Sequence, residues 1–439
     1  MRLVTALFLI LAGLVSVPAA PATALDRPLL RDAHGIHVVT ATREGRLVRA
    51  VVRTKALSQP VRVNVLLPDG YDRTTRRYPS YYLFHGTSGG ADDWLDMGGV
   101  RQATRGRDLI TVMPDAGYDS DGGSWFTDWL DQHTQLGAAR WETFHIGQLV
   151  PWVDANFRTV ADRSGRAIAG LSQGGFGSFS YAARHPDLFS AAASFSGAPD
   201  IARNPVAKAA ASAVVSGTMT GLNGVQPYAP FGDPVADDIV WQGHNPASIV
   251  GNLRDTDLQL WAGNGEPGPY DDPTDPNPAG TAIERFTYQS TTFFADAATA
   301  EGVPFVLHDY GPGTHTWPYW ARDLRQWLPH LEEVLSQRAQ EPGTIDYRSI
   351  DKRWTQWGWQ VANDRAERFA WSGLADAGGD GFTFSGGSAT VATPARYSPG
   401  TTYRLTYSGG TGPASVVADP QGRLRIELRT TGTVAVTVS

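Results

Sequence analysis

The sequence predicts an α/β fold built on a mostly parallel sheet, followed by a smaller C-terminal all-β, sandwich-like domain. Three observations carry that prediction. Near-continuous apolar runs end in Gly-, Asp- or Ser-rich loops: "VRVNVLLPDGY", "SYYLFHGTSGG", "DLITVMPDAGY", "RAIAGLSQGG", "AAASFSGAPD", "DLQLWAGNGEPG" and "PFVLHDYGPGT". Helix-like stretches such as "WETFHIGQLVPWVDANF" and "AIERFTYQSTTFFADAATAEG" lie between several of them. Strands that are apolar throughout, alternating with helices, imply a parallel sheet covered on both faces. From about Glu341 the texture changes to short Thr-, Val- and Tyr-rich segments separated by "GGDG", "SGG", "SPG" and "GGTGP". Turn signals at that spacing are those of a β-sandwich.

Taken in chain order, residues 1–24 read as a secretory signal peptide. Arg2 gives the positive start, Ala6 to Val17 the apolar stretch, and Ala22-Thr23-Ala24 the small-residue cleavage pattern. The apolar stretch is too short to span a bilayer, so no transmembrane anchor is expected after its removal. The expected location is secreted or cell-wall associated. Residues 25–337 then form the α/β domain, "RAQEPGT" at 338–344 a linker, and 345–439 the β-rich domain. A linker near Pro342 predicts that residues 25–340 fold alone. Within the α/β domain, residues 200–256 are expected to cap the site. Trp354, Trp357, Trp359 and Trp371 open the β-rich domain and read as core in preference to a sugar platform.

Composition excludes several function classes. The 439 residues include no cysteine, which removes thiolate catalysis, disulfides and cysteine–zinc sites. A net charge of −7 with no basic run gives no sign of a nucleic-acid partner.

The chemistry concentrates around Ser172. In a nucleophile elbow a strand turns sharply into a helix, lifting a serine into an unfavourable backbone conformation between residues small enough for strand and helix to approach. "RAIAG" is the strand, Ser172 the turn, and "GGFGSFSYAARHPDLF" the helix, with Gly170, Gly174 and Gly175 free of side chains. Serine needs a general base and an orienting acid, which this kind of fold supplies later in the chain. His185 falls on the elbow helix, His244 in an insertion, His308 in a strand and His330 on the last helix. His315 alone stands in a Gly/Pro-rich loop after the last strand, "DYGPGTHTWPYW". For the acid, Asp271, Asp272 and Asp275 occupy the loop after "LQLWAGNG", the usual place, while Glu284 lies on the following helix. Position leaves that choice open. The oxyanion hole requires two backbone N–H groups. Gln173 should supply one and Thr87, in "LFHGTSGGADDW", the other, with Gly86 permitting close approach.

Residues of roughly 45–330 resemble the secreted α/β-hydrolase esterases related to esterase D, which include the mycolyltransferases of the antigen 85 complex. The matching stretches are "GLSQGG", "WETF" at Trp141–Phe144, "WAGNGEP" at Trp261–Pro267 and "GTHTWPYW" at Gly313–Trp320. The resemblance implies an α/β-hydrolase fold and places the acid at Glu284, on the helix containing "IERF", with Asp272 as the alternative. Where the mycolyltransferases carry an Asp and an Arg that meet trehalose, this chain has His85 and Ser88, closer to the plain esterases. The C-terminal domain lies outside the resemblance.

The resulting expectation is a serine esterase with a Ser172–Glu284–His315 triad, acting on small-molecule or lipid esters and needing neither metal nor organic cofactor. An acyltransferase moving the acyl group to a sugar or glycerol hydroxyl is the alternative. A wall-associated binding protein, touching cell-wall polymer through its C-terminal domain, is the reading from another class, and an intact triad argues against it.

Overall fold

The computed structural model describes residues 28–118 and 121–439, so the signal-peptide reading of residues 1–24 lies outside the described residues. The first nine strands form one sheet: Ile36–Glu44 (β1), Leu47–Thr54 (β2), Val61–Leu66 (β3), Ser80–Phe84 (β4), Ile110–Pro114 (β5), Arg166–Leu171 (β6), Ala191–Phe195 (β7), Asp257–Ala262 (β8) and Val306–Asp309 (β9). Their spatial order is β1-β2-β3-β5-β4-β6-β7-β8-β9. From β5 to β9 every pairing is parallel, while β1, β2 and β3 join antiparallel at one edge. This is the α/β-hydrolase architecture expected, and each apolar run quoted above is one of β3 to β9. The β1–β2 hairpin carries no such run: β1 is an edge strand with most of its residues open to solvent.

Burial on both faces explains why β3 to β8 are apolar, whereas the edge strand β9 is partly exposed. Successive side chains point to opposite faces of a sheet. In β4, Tyr82 and Phe84 join one apolar cluster, and Tyr81 and Leu83 the other. The first cluster contains Phe176 and Phe179 of the helix Gln173–Arg184; the second contains Leu324, Trp327, Leu328 and Leu331 of the helix Trp317–Gln337.

His145 sits in a π-helical turn, Thr143–Leu149, beneath the carboxyl end of the sheet. Its Nε2–H donates to the Asp115 carbonyl at 2.9 Å, so Nδ1 accepts from the Tyr181 hydroxyl at 3.0 Å. Burial pushes its pKa from 6.5 down to about 3. A histidine depressed in this way binds its proton more readily in the unfolded chain. Its contribution is therefore present above about pH 6.5 and is lost as pH falls toward the folded value, at up to about 1.4 kcal/mol per pH unit. Urea unfolding at pH 7.5, 5.5 and 4.5 should show this decline, and His145→Gln should flatten its slope by up to one proton. An equal slope in both chains would remove His145 as a cause.

Residues 345–438 form a six-stranded and a four-stranded sheet, antiparallel throughout, around a core that includes Trp359, Phe382, Phe384, Val391, Ile426 and Val434. Trp354 belongs to the same core, Trp371 packs on the α/β core, and the Arg163 guanidinium lies 5.0 Å from the Trp357 ring. Trp354 and Trp359 are therefore core, as expected, while Trp357 and Trp371 are half-buried.

The two parts meet around Arg184, the last residue of the elbow helix. Its guanidinium donates to Glu142 at 2.9 Å and to Asp351 of the β-domain at 3.0 Å. Its carbonyl accepts from the Tyr347 hydroxyl at 2.8 Å and from the Gln356 amide at 2.7 Å. Asn252 exchanges two bonds with the Arg348 backbone, both at 3.0 Å. Stripping partners from a buried charge costs about 3–5 kcal/mol. A chain ending at Gln340 is therefore expected to unfold at clearly lower urea concentration than the full chain. Equal midpoints would mean that the α/β part stands alone, as the linker by itself implies.

Candidate active site

Strand β6 ends at Leu171 and the helix starts at Gln173, leaving Ser172 alone in the turn at φ 54°, ψ −123°. A non-glycine residue held there stores about 1–3 kcal/mol of strain. The surrounding structure supplies the restraint: Ser172 N–H donates to the Phe195 carbonyl at 2.9 Å, and Ser172 O accepts from the N–H groups of Gly175 and Phe176 at 2.9 and 3.1 Å. The turn closes because its glycines lack Cβ atoms. A Cβ on Gly170 would stand 2.4 Å from the Gly174 carbonyl oxygen, and one on Gly174 would stand 2.3 Å from that of His85. Strand β4 pairs with β6, Phe84 opposite Gly170, so the loop after β4 arrives beside the elbow.

His315 follows β9. Its Nδ1 lies 2.7 Å from Glu284 Oε2, and the ring meets Trp320 edge-on at 4.8 Å. A carboxylate only accepts, so Nδ1 carries the proton and Nε2 keeps its lone pair. Glu284 is fully buried and its other oxygen, Oε1, is held by three donors: the Ser196 hydroxyl at 2.8 Å, the Gly263 N–H at 2.9 Å and the Tyr310 hydroxyl at 3.4 Å.

The loop aspartates stand apart from His315. Asp271 accepts from Gly268 N–H at 2.7 Å, from the Tyr319 hydroxyl at 2.6 Å and from the Thr314 hydroxyl, bracing the loop that carries the histidine. Asp272 serves an exposed turn through Thr274, and Asp275 is exposed. The other late histidines have other partners. His185 and His244 face Glu142, His308 stacks on Trp261 at 4.2 Å, and His330 meets Asp257 at 2.9 Å.

Ser172, His315, Thr87 and Gln173 line one cavity of about 820 Å³. Among the described residues, neither the Thr87 N–H nor the Gln173 N–H has a hydrogen-bond acceptor. The wall is largely apolar, with Met97, Trp125, Leu171, Val214, Ile283 and Phe286. Val214 comes from the helix Pro205–Gly217, so part of the 200–256 insertion does overlie the site. Sequence reading missed Ser196 and Tyr310. The signal available for both was a polar residue at the carboxyl end of a strand, where sites of such sheets form. His85 is 2% exposed and does not line the cavity, whereas Ser88 does.

Residues 54–331 match the Esterase family model, described as "Putative esterase". Esterase Rv1288 of Mycobacterium tuberculosis (strain H37Rv) is 35% identical over 291 residues, which cover 65% of this chain and 59% of that protein. The chain thus spans 59% of the length of that curated relative. Diacylglycerol acyltransferase/mycolyltransferase Ag85B of Mycobacterium leprae is 30% identical over 230 residues, 52% of this chain and 66% of the relative. Among solved structures, Mycobacterium tuberculosis MPT51 (FbpC1) is similar with a TM-score of 0.52 and 23% identity, over 66% of this chain and 97% of its own. S-formylglutathione hydrolase from Agrobacterium tumefaciens gives 0.51 and 15%, over 69% and 99%. These two share the fold. The family match runs from the end of β2 into the helix Trp317–Gln337, and this chain belongs to the Esterase family.

Proposed function

We propose that this protein is a secreted serine esterase that hydrolyses carboxylic esters through an acyl-enzyme. One observation carries the reading: a histidine bound to a buried carboxylate shares a cavity with a strained serine and two unpaired backbone N–H groups. Ser172 Oγ attacks the ester carbonyl while His315 Nε2 takes its proton. Glu284 holds the ring and stabilises the imidazolium, and the N–H groups of Thr87 and Gln173 receive the oxyanion. Collapse expels the alcohol, which leaves with the proton from His315. Water, deprotonated by the same nitrogen, then releases the acid and restores Ser172.

The apolar wall suits a short or medium acyl chain, with orientation left to a few polar groups. Transfer to a sugar outruns hydrolysis only where a site holds the acceptor hydroxyl against the acyl carbon. Among the described residues no guanidinium lines this cavity, and Asp93 is its one carboxylate. Hydrolysis is therefore the expected outcome. Incubation with a medium-chain p-nitrophenyl ester and millimolar trehalose, followed by mass spectrometry, should give free acid and no acyl-trehalose. Acyl-trehalose as the main product would establish the acyltransferase instead.

A further inference from the structure

We infer that His85 is a positioning residue that fixes the direction of the Thr87 N–H, and so the oxyanion hole itself. The inference rests on the esterase reading above and adds to it a residue outside the cavity.

The tautomer of His85 follows from its neighbours. The Ala116 N–H donates to His85 Nε2 at 2.7 Å. A backbone N–H can only donate, so Nε2 carries the lone pair and the ring proton sits on Nδ1. Nδ1 lies 2.7 Å from the Gly86 carbonyl oxygen and donates to it. Gly86 O also accepts from Gly89 N–H at 3.2 Å. The peptide between Gly86 and Thr87 is trans, since the chain has no cis bond among its described residues. In a planar trans peptide the C=O and the next N–H point in opposite directions. Two donors pulling the Gly86 carbonyl one way therefore turn the Thr87 N–H the other way.

The rest of the loop is committed. Ser88 N–H donates to Asp121 O at 2.9 Å, and the Thr87 hydroxyl accepts from the Gln173 amide at 3.0 Å. That amide is anchored in turn, donating to Gly122 O at 2.9 Å and accepting from Trp125 N–H at 3.1 Å. Among the described residues the Thr87 N–H has no acceptor, and Thr87 lines the cavity. His85 ties this loop to the end of β5, where Asp115, the residue before Ala116, is pinned by Arg62 and Ala91. The ring thus transmits the rigidity of the sheet to a donor that must not reorient as charge develops.

The experiment compares His85→Leu and His85→Asn in the full chain. Leucine has similar bulk and no donor. The asparagine amide places an N–H close to where Nδ1 stood. His85→Leu should lower kcat by about 10²–10³, the effect of losing one oxyanion donor, with KM changed less than about threefold. Affinity for an alkyl boronic acid, which mimics the tetrahedral intermediate, should fall in parallel. His85→Asn should recover at least about tenfold of the lost kcat. Wild-type kcat and boronate affinity in His85→Leu, or no recovery in His85→Asn, would overturn the inference. If His85→Leu does not fold, His85→Asn decides alone: a boronate affinity reduced about a hundredfold or more overturns the inference, and a smaller loss supports it. Ser172→Ala, assayed alongside, tests the esterase reading separately, and its failure to lower activity would remove both.

Discussion

Ser172→Ala should lower kcat on a soluble ester by about 10⁴–10⁶ and leave the thermal melt in place. The hydroxyl is the only group removed. Among the described residues no hydrogen bond uses it, and the backbone bonds that hold the turn belong to the N–H and carbonyl of the residue. Alanine at φ 54° suffers the same crowding as serine, so the strain is unchanged. What disappears is the covalent route, leaving any residual rate to water oriented by His315 and the oxyanion donors. Steady-state kinetics with circular-dichroism melts would check both halves. Retention of more than a tenth of wild-type kcat would take Ser172 out of the mechanism.

Glu284→Gln should lower kcat by about 10³–10⁴ through a change of tautomer. Three donors converge on Oε1 of Glu284, so a glutamine keeps its carbonyl oxygen there and turns its NH2 toward His315. Nδ1, now facing a donor, must accept. The ring proton moves to Nε2, the nitrogen that has to take the proton of Ser172. Asp272→Asn alters only an exposed turn and should leave kcat nearly unchanged. Reversed results would assign the acid to the loop.

The sequence exposed those features whose chemistry is local in the chain. The elbow is legible because strand, serine, glycines and helix are contiguous, and His315 because it alone among the late histidines follows the last strand in a loop. Glu284 was legible only by resemblance: its contact with His315 is tertiary, and the loop aspartates looked equally available. The burial of His85 was hidden because strand ends place residues both in the cavity and beneath it. The Arg184 junction has no local signal, since Glu142 lies 42 and Asp351 167 positions away in the chain. The β1–β2 edge escaped notice because β1 is mostly exposed and two arginines interrupt the apolar run of β2.

The Arg184 junction has a consequence for the order in which the chain is made. Asp351 lies 167 positions after Arg184. At about 5–20 residues per second, a ribosome delivers it roughly ten to thirty seconds later. During that interval Glu284 and His315 are still being delivered, and the far end of the elbow helix lacks its grip from Asp351. The first strand of the C-terminal domain to be made thus closes over the base of the helix whose first residue lines the cavity.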